Sequence, residues 1–398
     1  MPGAKSMNLL VLNDKPPSMR LGDGLRMFGL LRPLRPRHQF DLLCFARPGD
    51  EIESDANNLF SRVSTLPFPV PTDRGRFGRK IANALRLGNF KASSGSMRDA
   101  ISEADASGRY DLLLDVSANM LLTLPPEALR TPLVVDSIDE PLLRDLRAIR
   151  RSSPMQWPRL TRQLYLYWRY ERETLARAAI NVYASELDAN FYRRLFPGRR
   201  CAFVPNGVDL DFFQGPPNNL SGGGYIVFEG NMMFPPNVDA AVRLCRQILP
   251  RVQAKEPSAR VVVVGREPAP GVRSLASPSV EITGTVPDVR PYLAEATVFA
   301  CPMRLGSGIK NKILQAWAMG LPVVATSQSI GGLLARDGEN ILIRDSWDAF
   351  ADAIVELLSH REQARALGDE GRRTVERHYS WERCAEAFER ILESSRLS

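Results

Sequence analysis

Residues 298–325 decide the fold, and they read VFACPMRLGSGIKNKILQAWAMGLPVVA. The apolar runs at 298–301 and 322–325 are typical of strands buried in a parallel sheet. A glycine-containing stretch between them indicates a tight turn, and residues 310–319 have the apolar spacing of a helix. The segment therefore predicts a strand, a turn, a helix and a second strand, which is the repeating unit of an α/β fold.

The start of this predicted helix is a candidate anion site. Free backbone N–H groups and the positive end of the helix dipole attract negative charge there. Gly306 and Gly308 would let a phosphate approach the backbone, and Lys310 and Lys312 add positive charge. The residues alone leave open a second interpretation, a glycine turn followed by two solvated lysines, because short glycine motifs often recur by chance.

The same alternation of apolar runs and helix-length segments extends outward in both directions. In the first half, strands are predicted at residues 8–12, 41–45, 110–114, 132–135, 180–184 and 201–204, with helices at 25–34 and 158–179. In the second half, strands are predicted at 225–228, 260–264 and 280–282, with helices at 238–249 and from 346 to 397. We therefore expect two doubly wound, Rossmann-like halves.

Residues 215–224 interrupt the alternation with proline, glycine and asparagine, which favour turns. We place a linker there, between an N-terminal domain at 1–214 and a C-terminal domain at 225–375, with a C-terminal helix at 376–398. Two domains also suit a chain of 398 residues, which exceeds the size at which one core stops growing.

The composition limits the class of protein. Charged residues at 24% and aromatic residues at 8% are ordinary for a folded chain, and the net charge of +7 suggests an anionic partner without identifying it. The five cysteines are scattered, so we expect reduced, buried thiols. No stretch approaches the roughly 20 apolar residues that span a bilayer, and we expect a cytoplasmic protein. The absence of G-x-G-x-x-G after the first strand argues against a dehydrogenase.

Several motifs together resemble one family. The run 308–325 closely resembles the donor-binding helix of family 4 glycosyltransferases with the GT-B fold, and residues 204–213 resemble the segment that closes the first domain of that family. Residues 229–232, 264–266 and 283–289 resemble three further landmarks of its donor domain, in the same order. Through its G-x-G-I-x-N-K stretch at 306–312, the chain also resembles the bacterial exopolysaccharide-associated sugar transferases.

This resemblance implies a GT-B fold, in which two Rossmann-like domains face a central cleft and C-terminal helices cross back to the N-terminal domain. It implies transfer of a sugar from a nucleoside-diphosphate sugar to a glycan or lipid-linked acceptor in polysaccharide biosynthesis. It further implies a hexosyltransferase that retains anomeric configuration, without a metal or a cofactor. We expect no nucleic-acid partner, because the basic residues are not interleaved with a stacking platform or a recognised reader motif.

The resemblance also assigns residues. Lys310 and Lys312 would stabilise the departing diphosphate, with Gln315 near the ribose. The residues expected to bind the donor are Gly230, Asn231, Gly265, Val286, Gly306, Ser307, Gly308, Ile309, Asn311 and Gln315.

Ser307 and Gln315 depart from the family pattern, which often has glutamate at both positions. In the resemblance, the first glutamate contacts the sugar and the second contacts the ribose hydroxyls. Gln315 can still donate and accept hydrogen bonds but carries no charge. A catalytically impaired protein that binds nucleotide sugar or serves as a scaffold therefore stays open as an alternative. A GT-B epimerase or phosphorylase, which would share the architecture, is a second alternative.

The N-terminal half supplies candidates for the acceptor side. Gly22, Gly24 and Arg26 lie where the first strand leads into the first helix, and they match a glycine-rich loop that lies under the donor in the family. Arg26 could meet a diphosphate or the acceptor, or the stretch could be a helix start capped by Asp23. Asp139 follows a buried strand, and we expect it to orient or deprotonate an acceptor hydroxyl.

Three further stretches carry charge. Residues 74–91 contain six basic and no acidic residues with apolar residues at helical spacing, which predicts an amphipathic helix. It would dock at the inner face of an anionic membrane or pack its apolar stripe inward.

Asp209 and Asp211 form a D-x-D pattern that we interpret as structural rather than metal-binding. We expect His38, in a charged turn, to be solvated.

Overall fold

The computed structural model describes residues 6–19, 22–68, 95–116, 118, 120–149, 153–214, 225–305 and 308–396. The chain divides into two compact units. The N-terminal unit comprises Met1–Val204 and Cys384–Ser398, and the C-terminal unit comprises Pro205–Arg383. The linker predicted at 215–224 lies outside the described residues, so it and the domain limits drawn from it stay predictions.

Within its described residues, the N-terminal unit contains one sheet of seven parallel strands in the order β3-β2-β1-β4-β5-β6-β7. The strands are β1 Asn8–Asn13, β2 Gln39–Ala46, β3 Arg62–Pro67, β4 Leu112–Asp115, β5 Leu133–Ile138, β6 Ile180–Tyr183 and β7 Cys201–Phe203. The central strands β1 and β4 are almost wholly buried, as strands covered on both faces must be, and their apolar runs predicted them. The edge strand β3 was missed because four of its six side chains are exposed and it has no continuous apolar run.

Helices connect these strands. The α-helices are α1 Gly22–Leu31, α2 Ser54–Leu59, α3 Gly95–Ala106, α4 Pro141–Ile149, α5 Trp157–Glu173 and α6 Glu186–Leu195, and short 3-10 helices lie at Arg32–Leu34, Met120–Thr123, Pro154–Gln156 and Leu175–Arg177. The start of α6 shows how local sequence sets a boundary. The hydroxyl of Ser185 accepts a hydrogen bond from the Asp188 backbone N–H at 3.1 Å, which satisfies a donor of the first turn.

The described part of the C-terminal unit contains a six-stranded parallel sheet in the order β10-β9-β8-β11-β12-β13. Its strands are β8 Ile226–Glu229, β9 Val261–Val264, β10 Val280–Gly284, β11 Val298–Cys301, β12 Val323–Ala325 and β13 Leu342–Ile343. Its α-helices are α7 Pro235–Arg243, α8 Leu249–Gln253, α9 Pro270–Arg273, α10 Arg290–Glu295, α11 Asn311–Ala318, α12 Trp347–Ser359 and α13 Arg361–His378. The single helix predicted at 238–249 is instead α7 and α8 joined by a π-helical turn, Leu244–Ile248, beside Pro250, which has no N–H to continue the α-helical pattern.

The last helix, α14 Trp381–Arg396, belongs to the N-terminal unit from Cys384 onward, which agrees with the crossing that the resemblance implied. Two ion-pair groups attach it there. The carboxylate of Glu389 lies 2.7 Å from Nε2 of His38 and 2.8 Å from Arg37, and Arg396 lies 2.8 Å from Asp111.

The prediction that His38 is solvated is wrong. Its ring is buried, and Nδ1 accepts a hydrogen bond from the Met7 backbone N–H at 3.2 Å. Nε2 must then hold the ring proton and donate it to Glu389. A reading of the charged turn around residue 38 missed this because the partner carboxylate is 351 residues away in sequence.

Candidate functional site

Two loops of the C-terminal unit meet where its strand order reverses. Strand β8 lies between β9 and β11, so the connections on either side leave in opposite directions, and ligands of such sheets bind at this point beside the carboxyl ends of the strands. Gly230 directly follows β8. The turn that begins at Pro302 directly follows β11 and leads into α11. The topology therefore places the two predicted donor-binding stretches side by side.

The ammonium group of Lys312 lies at the end of β8. Its Nζ donates hydrogen bonds to the backbone oxygen of Glu229 at 2.6 Å and to Oδ1 of Asn237 at 2.9 Å. It also lies 4.4 Å from the centroid of the Phe228 ring. The residue is only 9% exposed, and burial lowers its pKa, an effect that the nearby Glu229 charge opposes.

This buried cation is not neutralised by direct contact. Among the described residues, Lys312 makes no salt bridge, and both of its hydrogen-bond acceptors are uncharged. An ammonium group has three N–H donors, so one remains for a further acceptor. Because a buried charge is costly without a counter-charge, this site favours an anion.

Lys310 is also buried, and its Nζ donates to the Gly308 backbone oxygen at 2.9 Å. Gly308 has a positive φ of 69°, a conformation that glycine adopts without strain. The interpretation of Lys310 and Lys312 as two solvated lysines is therefore wrong. The predicted Gly306 and Ser307 lie outside the described residues.

Neighbouring atoms approach the backbone closely at Gly230 and Gly265. A Cβ atom on Gly230 would lie 2.7 Å from both the Lys312 Nζ and the Asn237 Nδ2, and its φ of 153° is unusual for other residues. A Cβ atom on Gly265 would lie 1.8 Å from the Gly230 backbone oxygen. Both predicted glycines are thus required by close approach of their neighbours.

Asn237, in the first turn of α7, is a residue of this cluster that the sequence interpretation missed. It is buried, and its Nδ2 donates to the backbone oxygen of Asn231 at 3.0 Å while its Oδ1 accepts from Lys312. It therefore connects the predicted Asn231 to the predicted Lys312. The signal in the sequence was a polar residue directly after the proline pair that begins a helix.

The other predicted donor residues lie around this cluster. Oδ1 of Asn311 accepts from the side chain of Asn206 at 2.9 Å, which links α11 to the segment at 204–213. Ile309 is buried, Gln315 is half-buried on α11, and Val286 packs on the core beyond β10. Their contacts with a donor stay predictions.

In the N-terminal unit, Arg26 is buried on α1. Its Nε lies 2.8 Å from Oδ2 of Asp136, and its terminal nitrogen lies 3.0 Å from Oδ1, so the two charges form a bidentate pair. The contact of Arg26 with a ligand stays a prediction. The structure shows that Arg26 holds the side chain of Asp136 near the end of β5. Asp23, the alternative cap of this helix, pairs with Lys15 at 2.6 Å.

Gly22 begins α1, and Gly24 lies against the backbone of the preceding loop. A Cβ atom on Gly24 would lie 2.0 Å from the Ser18 carbonyl oxygen. Tight packing of the loop therefore accounts for this glycine, and a phosphate contact at Gly22 or Gly24 stays a prediction.

Asp139 follows an irregular end of β5. The pairing of β5 with β6 shifts register between Asp136 and Ile138, and Ile138 has a positive φ of 62° that is strained for a β-branched residue. Asp139 is half-buried, and its backbone N–H donates to the Ser137 oxygen at 2.7 Å. Its role as a base stays a prediction.

Two buried carboxyl groups lie beside this strand end. Burial raises the pKa of Glu140 to about 7, and its carboxylate accepts a hydrogen bond from the Leu143 backbone N–H at the start of α4. Burial, with repulsion from Glu140, raises the pKa of Glu171 well above its ordinary value. The end of β5 therefore combines a neutralised ion pair with carboxyl groups that favour the protonated form.

The D-x-D pattern has a local structural role. Oδ1 of Asp209 accepts a hydrogen bond from the Phe212 backbone N–H at 2.8 Å, three residues on, as in a side-chain cap of a turn. Within the described ranges, no three His, Cys, Asp or Glu side chains are arranged to hold a metal ion. Helices in the described residues also lack the length and apolar content that a membrane span requires.

The region that contains the Lys312 cluster is similar to known glycosyltransferases. Residues 223–360 match the family described as Glycosyl transferases group 1. The lipopolysaccharide core biosynthesis glycosyltransferase LpsE of Rhizobium meliloti is 34% identical over 117 residues, which are 29% of this chain and 34% of that protein. A GDP-mannose-dependent alpha-(1-6)-phosphatidylinositol monomannoside mannosyltransferase of Mycobacterium tuberculosis is 27% identical over 231 residues, 52% of this chain and 59% of that protein. The chain thus spans between one third and three fifths of the length of these relatives.

Among solved structures, Anabaena Alr3699/HepE in complex with UDP and glucose matches with a TM-score of 0.66 at 16% identity. The match covers 98% of this chain and 100% of that chain. Together with the two parallel sheets, this likeness shows a two-domain α/β fold of the GT-B type.

Proposed function

We propose that the chain is a glycosyltransferase that moves a sugar from a nucleoside-diphosphate sugar to a glycan or lipid-linked acceptor. The observation that carries this proposal is the buried Lys312 ammonium, which meets only uncharged acceptors at the switch point of the C-terminal sheet. A diphosphate supplies the missing anion. The GDP-mannose dependence of one relative and the UDP bound to one structural neighbour support this choice of ligand.

In the proposed reaction, the bond between the anomeric carbon and the diphosphate oxygen breaks, and the diphosphate leaves with the electron pair. Lys312, Lys310 and the N–H groups at the start of α11 would stabilise that charge, which grows in the transition state. The acceptor oxygen forms the new bond to the anomeric carbon, and Asp139 would take its proton. This chemistry needs leaving-group stabilisation more than a strong base, so the proposal includes no metal ion.

From the resemblance we also propose that the chain is a member of family 4 and transfers a hexosyl group with retention. We propose that it acts in polysaccharide synthesis of the exopolysaccharide type. Peripheral contact with an anionic membrane at its inner face also belongs here, because a lipid-linked acceptor lies at a membrane. The basic stretch first assigned to that contact, 74–91, lies outside the described residues.

A thermal-shift panel of UDP, GDP, ADP and TDP with their sugars tests the donor site, since a ligand of the native state raises its melting temperature. We expect one base to give a shift that the double variant Lys310→Ala/Lys312→Ala loses. Lys255→Ala is the matched control, because this lysine of the same unit is exposed and pairs with Asp352. No shift of the wild type by any nucleotide at millimolar concentration would contradict the donor site.

The residues Ser307 and Gln315 favour one alternative, a nucleotide-sugar-binding protein with impaired catalysis. That protein would give the thermal shift but would transfer no sugar to any acceptor and release no nucleotide. Release of sugar phosphate, or an epimerised donor in the absence of an acceptor, would instead indicate the phosphorylase or epimerase alternative.

A further inference from the structure

Large apolar side chains are exposed around the start of α5. Met155, in the 3-10 helix that precedes α5, is 92% exposed, Trp157 is 49% exposed and Tyr165 is 57% exposed. Leu146 on the adjacent α4 is also exposed. Such side chains are normally buried, so a cluster of them within 20 residues indicates a surface that is covered by something else.

Arginines share the exposed side of α5 with Tyr165. At 3.6 residues per turn, Arg162, Arg169 and Arg172 project within about 60° of Tyr165 around the helix axis. All three arginines are exposed. The opposite side of the helix is buried and includes Tyr167 and Glu171. We call the set Met155, Trp157, Arg162, Tyr165 and Arg169 the basic-aromatic face.

The charge exposed along α5 is positive. Glu171 is buried, so Glu173 is the exposed carboxylate of this helix, and it lies 3.7 Å from Arg169 with both side chains more than half exposed. An exposed pair of this kind is weak and readily exchanges for another partner. Arg172 lies over the Trp168 ring at 5.2 Å, which leaves Arg162 as a further positive group.

We propose that the basic-aromatic face docks the N-terminal unit on an anionic phospholipid surface. Trp157 and Tyr165 have the amphipathic rings that settle at the interface between headgroups and acyl chains. Met155 inserts its thioether chain among the acyl groups, and Arg162 and Arg169 attract the headgroup phosphates. This inference rests on the proposed function, since a lipid-linked acceptor must be reached at a membrane.

The same combination of arginine and aromatic rings could in principle hold nucleic acid. The aliphatic members distinguish the two partners, because Met155 and Leu146 offer nothing to phosphates but gain from insertion into lipid. The exposure of Met155, the most exposed apolar side chain of the cluster, therefore favours the membrane.

Co-sedimentation of the full chain with vesicles tests the proposal. Vesicles of phosphatidylcholine alone are compared with vesicles that also contain phosphatidylglycerol. We expect binding to the anionic vesicles, and a loss of at least about tenfold in partition both for Met155→Ser/Trp157→Ser/Tyr165→Ser and for Arg162→Glu/Arg169→Glu. The matched controls Leu334→Ser and Arg365→Glu alter exposed residues of the C-terminal unit and should bind as the wild type does.

Other outcomes overturn the proposal. One is unchanged vesicle binding by the α5 variants when Arg79→Glu/Lys80→Glu/Arg86→Glu abolishes it, which would assign the contact to residues 74–91. Another is binding of a single-stranded or duplex oligonucleotide that depends on the same α5 residues while vesicles are not bound.

The nucleotide thermal shift separates this inference from the proposed function. Every α5 variant should keep the shift and the wild-type melting temperature, because the changed side chains are exposed. If an α5 variant keeps the nucleotide thermal shift and also binds vesicles like the wild type, the docking proposal is wrong and the proposed function is unaffected. Loss of the wild-type nucleotide shift contradicts the proposed function, whatever the vesicles show.

Discussion

The two units treat a buried cation at a strand end in opposite ways. Arg26 in the N-terminal unit meets the Asp136 carboxylate through two charge-assisted hydrogen bonds. Lys312 in the C-terminal unit meets a backbone oxygen and a side-chain amide. The first cation is neutralised by direct contact with a carboxylate, whereas the second has no carboxylate in direct contact and only the nearby charge of Glu229 opposes the effect of its burial. Two similar parallel sheets thus carry one cation that is paired within the fold and one that we propose meets a ligand.

The largest effect is expected from breaking the neutralised pair. Arg26→Ala leaves the Asp136 carboxylate buried without its counter-charge, so we expect the free energy of unfolding to fall by about 3–5 kcal/mol in urea denaturation. The surface pair Lys15–Asp23 is the control, and Lys15→Ala should cost less than about 1 kcal/mol. A loss below about 1 kcal/mol for Arg26→Ala would show that the buried pair stabilises the fold no more than the surface pair does.

Removing the Lys312 ammonium should weaken ligand binding more than it destabilises the fold, which is the reverse of the expectation for Arg26. Lys312→Met keeps the length of the side chain and removes the ammonium, so we expect affinity for the nucleoside diphosphate to fall by about 2–3 kcal/mol, measured by calorimetry. Stability without ligand should fall less than it does for Arg26→Ala, because no carboxylate in direct contact loses its partner and the pKa of Glu229, already raised by burial, lets that group bind a proton. Lys255→Met provides the exposed control. If Lys312→Met unfolds the protein as Arg26→Ala does, Lys312 is a structural group.

The pH dependence of stability tests the buried carboxyl groups of the N-terminal unit. Burial raises the folded-state pKa of Glu140 to about 7, above its value in the unfolded chain, so its contribution is fully present at low pH and is lost as pH rises through 7. We expect the N-terminal unit to lose about 2 kcal/mol of stability between pH 5 and pH 8. Glu140→Gln should flatten this part of the profile. A profile that rises with pH in the wild type would contradict the burial of a protonated carboxyl group.

The smallest effect concerns the residue that holds Lys312. Asn237→Ala removes one hydrogen bond to the ammonium, so we expect affinity for the nucleoside diphosphate to fall by about 1 kcal/mol. Binding of the corresponding nucleoside, which has no phosphate, should not change. Equal losses for both ligands would mean that Asn237 supports the loop rather than the lysine.

Local patterns predicted most of the architecture. Strands such as β9, with four consecutive valines, are buried on both faces and therefore have an unbroken apolar signal. The exposed edge strand β3 lacks that signal, and the short β13 offers only two residues. The π-helical turn between α7 and α8 was missed because apolar spacing does not distinguish it from an α-helix.

The site was predictable as a list of residues but not as a set of partners. The glycines and lysines around β8 and α11 were candidates from the sequence, and the structure shows the close approach at Gly230 and Gly265, whereas phosphate binding by this set stays a prediction. Asn237, the partner of Lys312, and Asp136, the partner of Arg26, were not identified as such. Those pairs join residues 75 and 110 positions apart, and only the packed sheets bring them together.

The return of the chain at Cys384 has a consequence for how the protein is made. The C-terminal unit is an insertion between two pieces of the N-terminal unit, since the chain leaves that unit after Val204 and rejoins it 180 positions later. Synthesis runs from the first piece to the last, and domains tend to fold as they emerge. His38 is therefore translated long before Glu389, which accepts a hydrogen bond from its ring, and the first unit to leave the ribosome is the last to be completed.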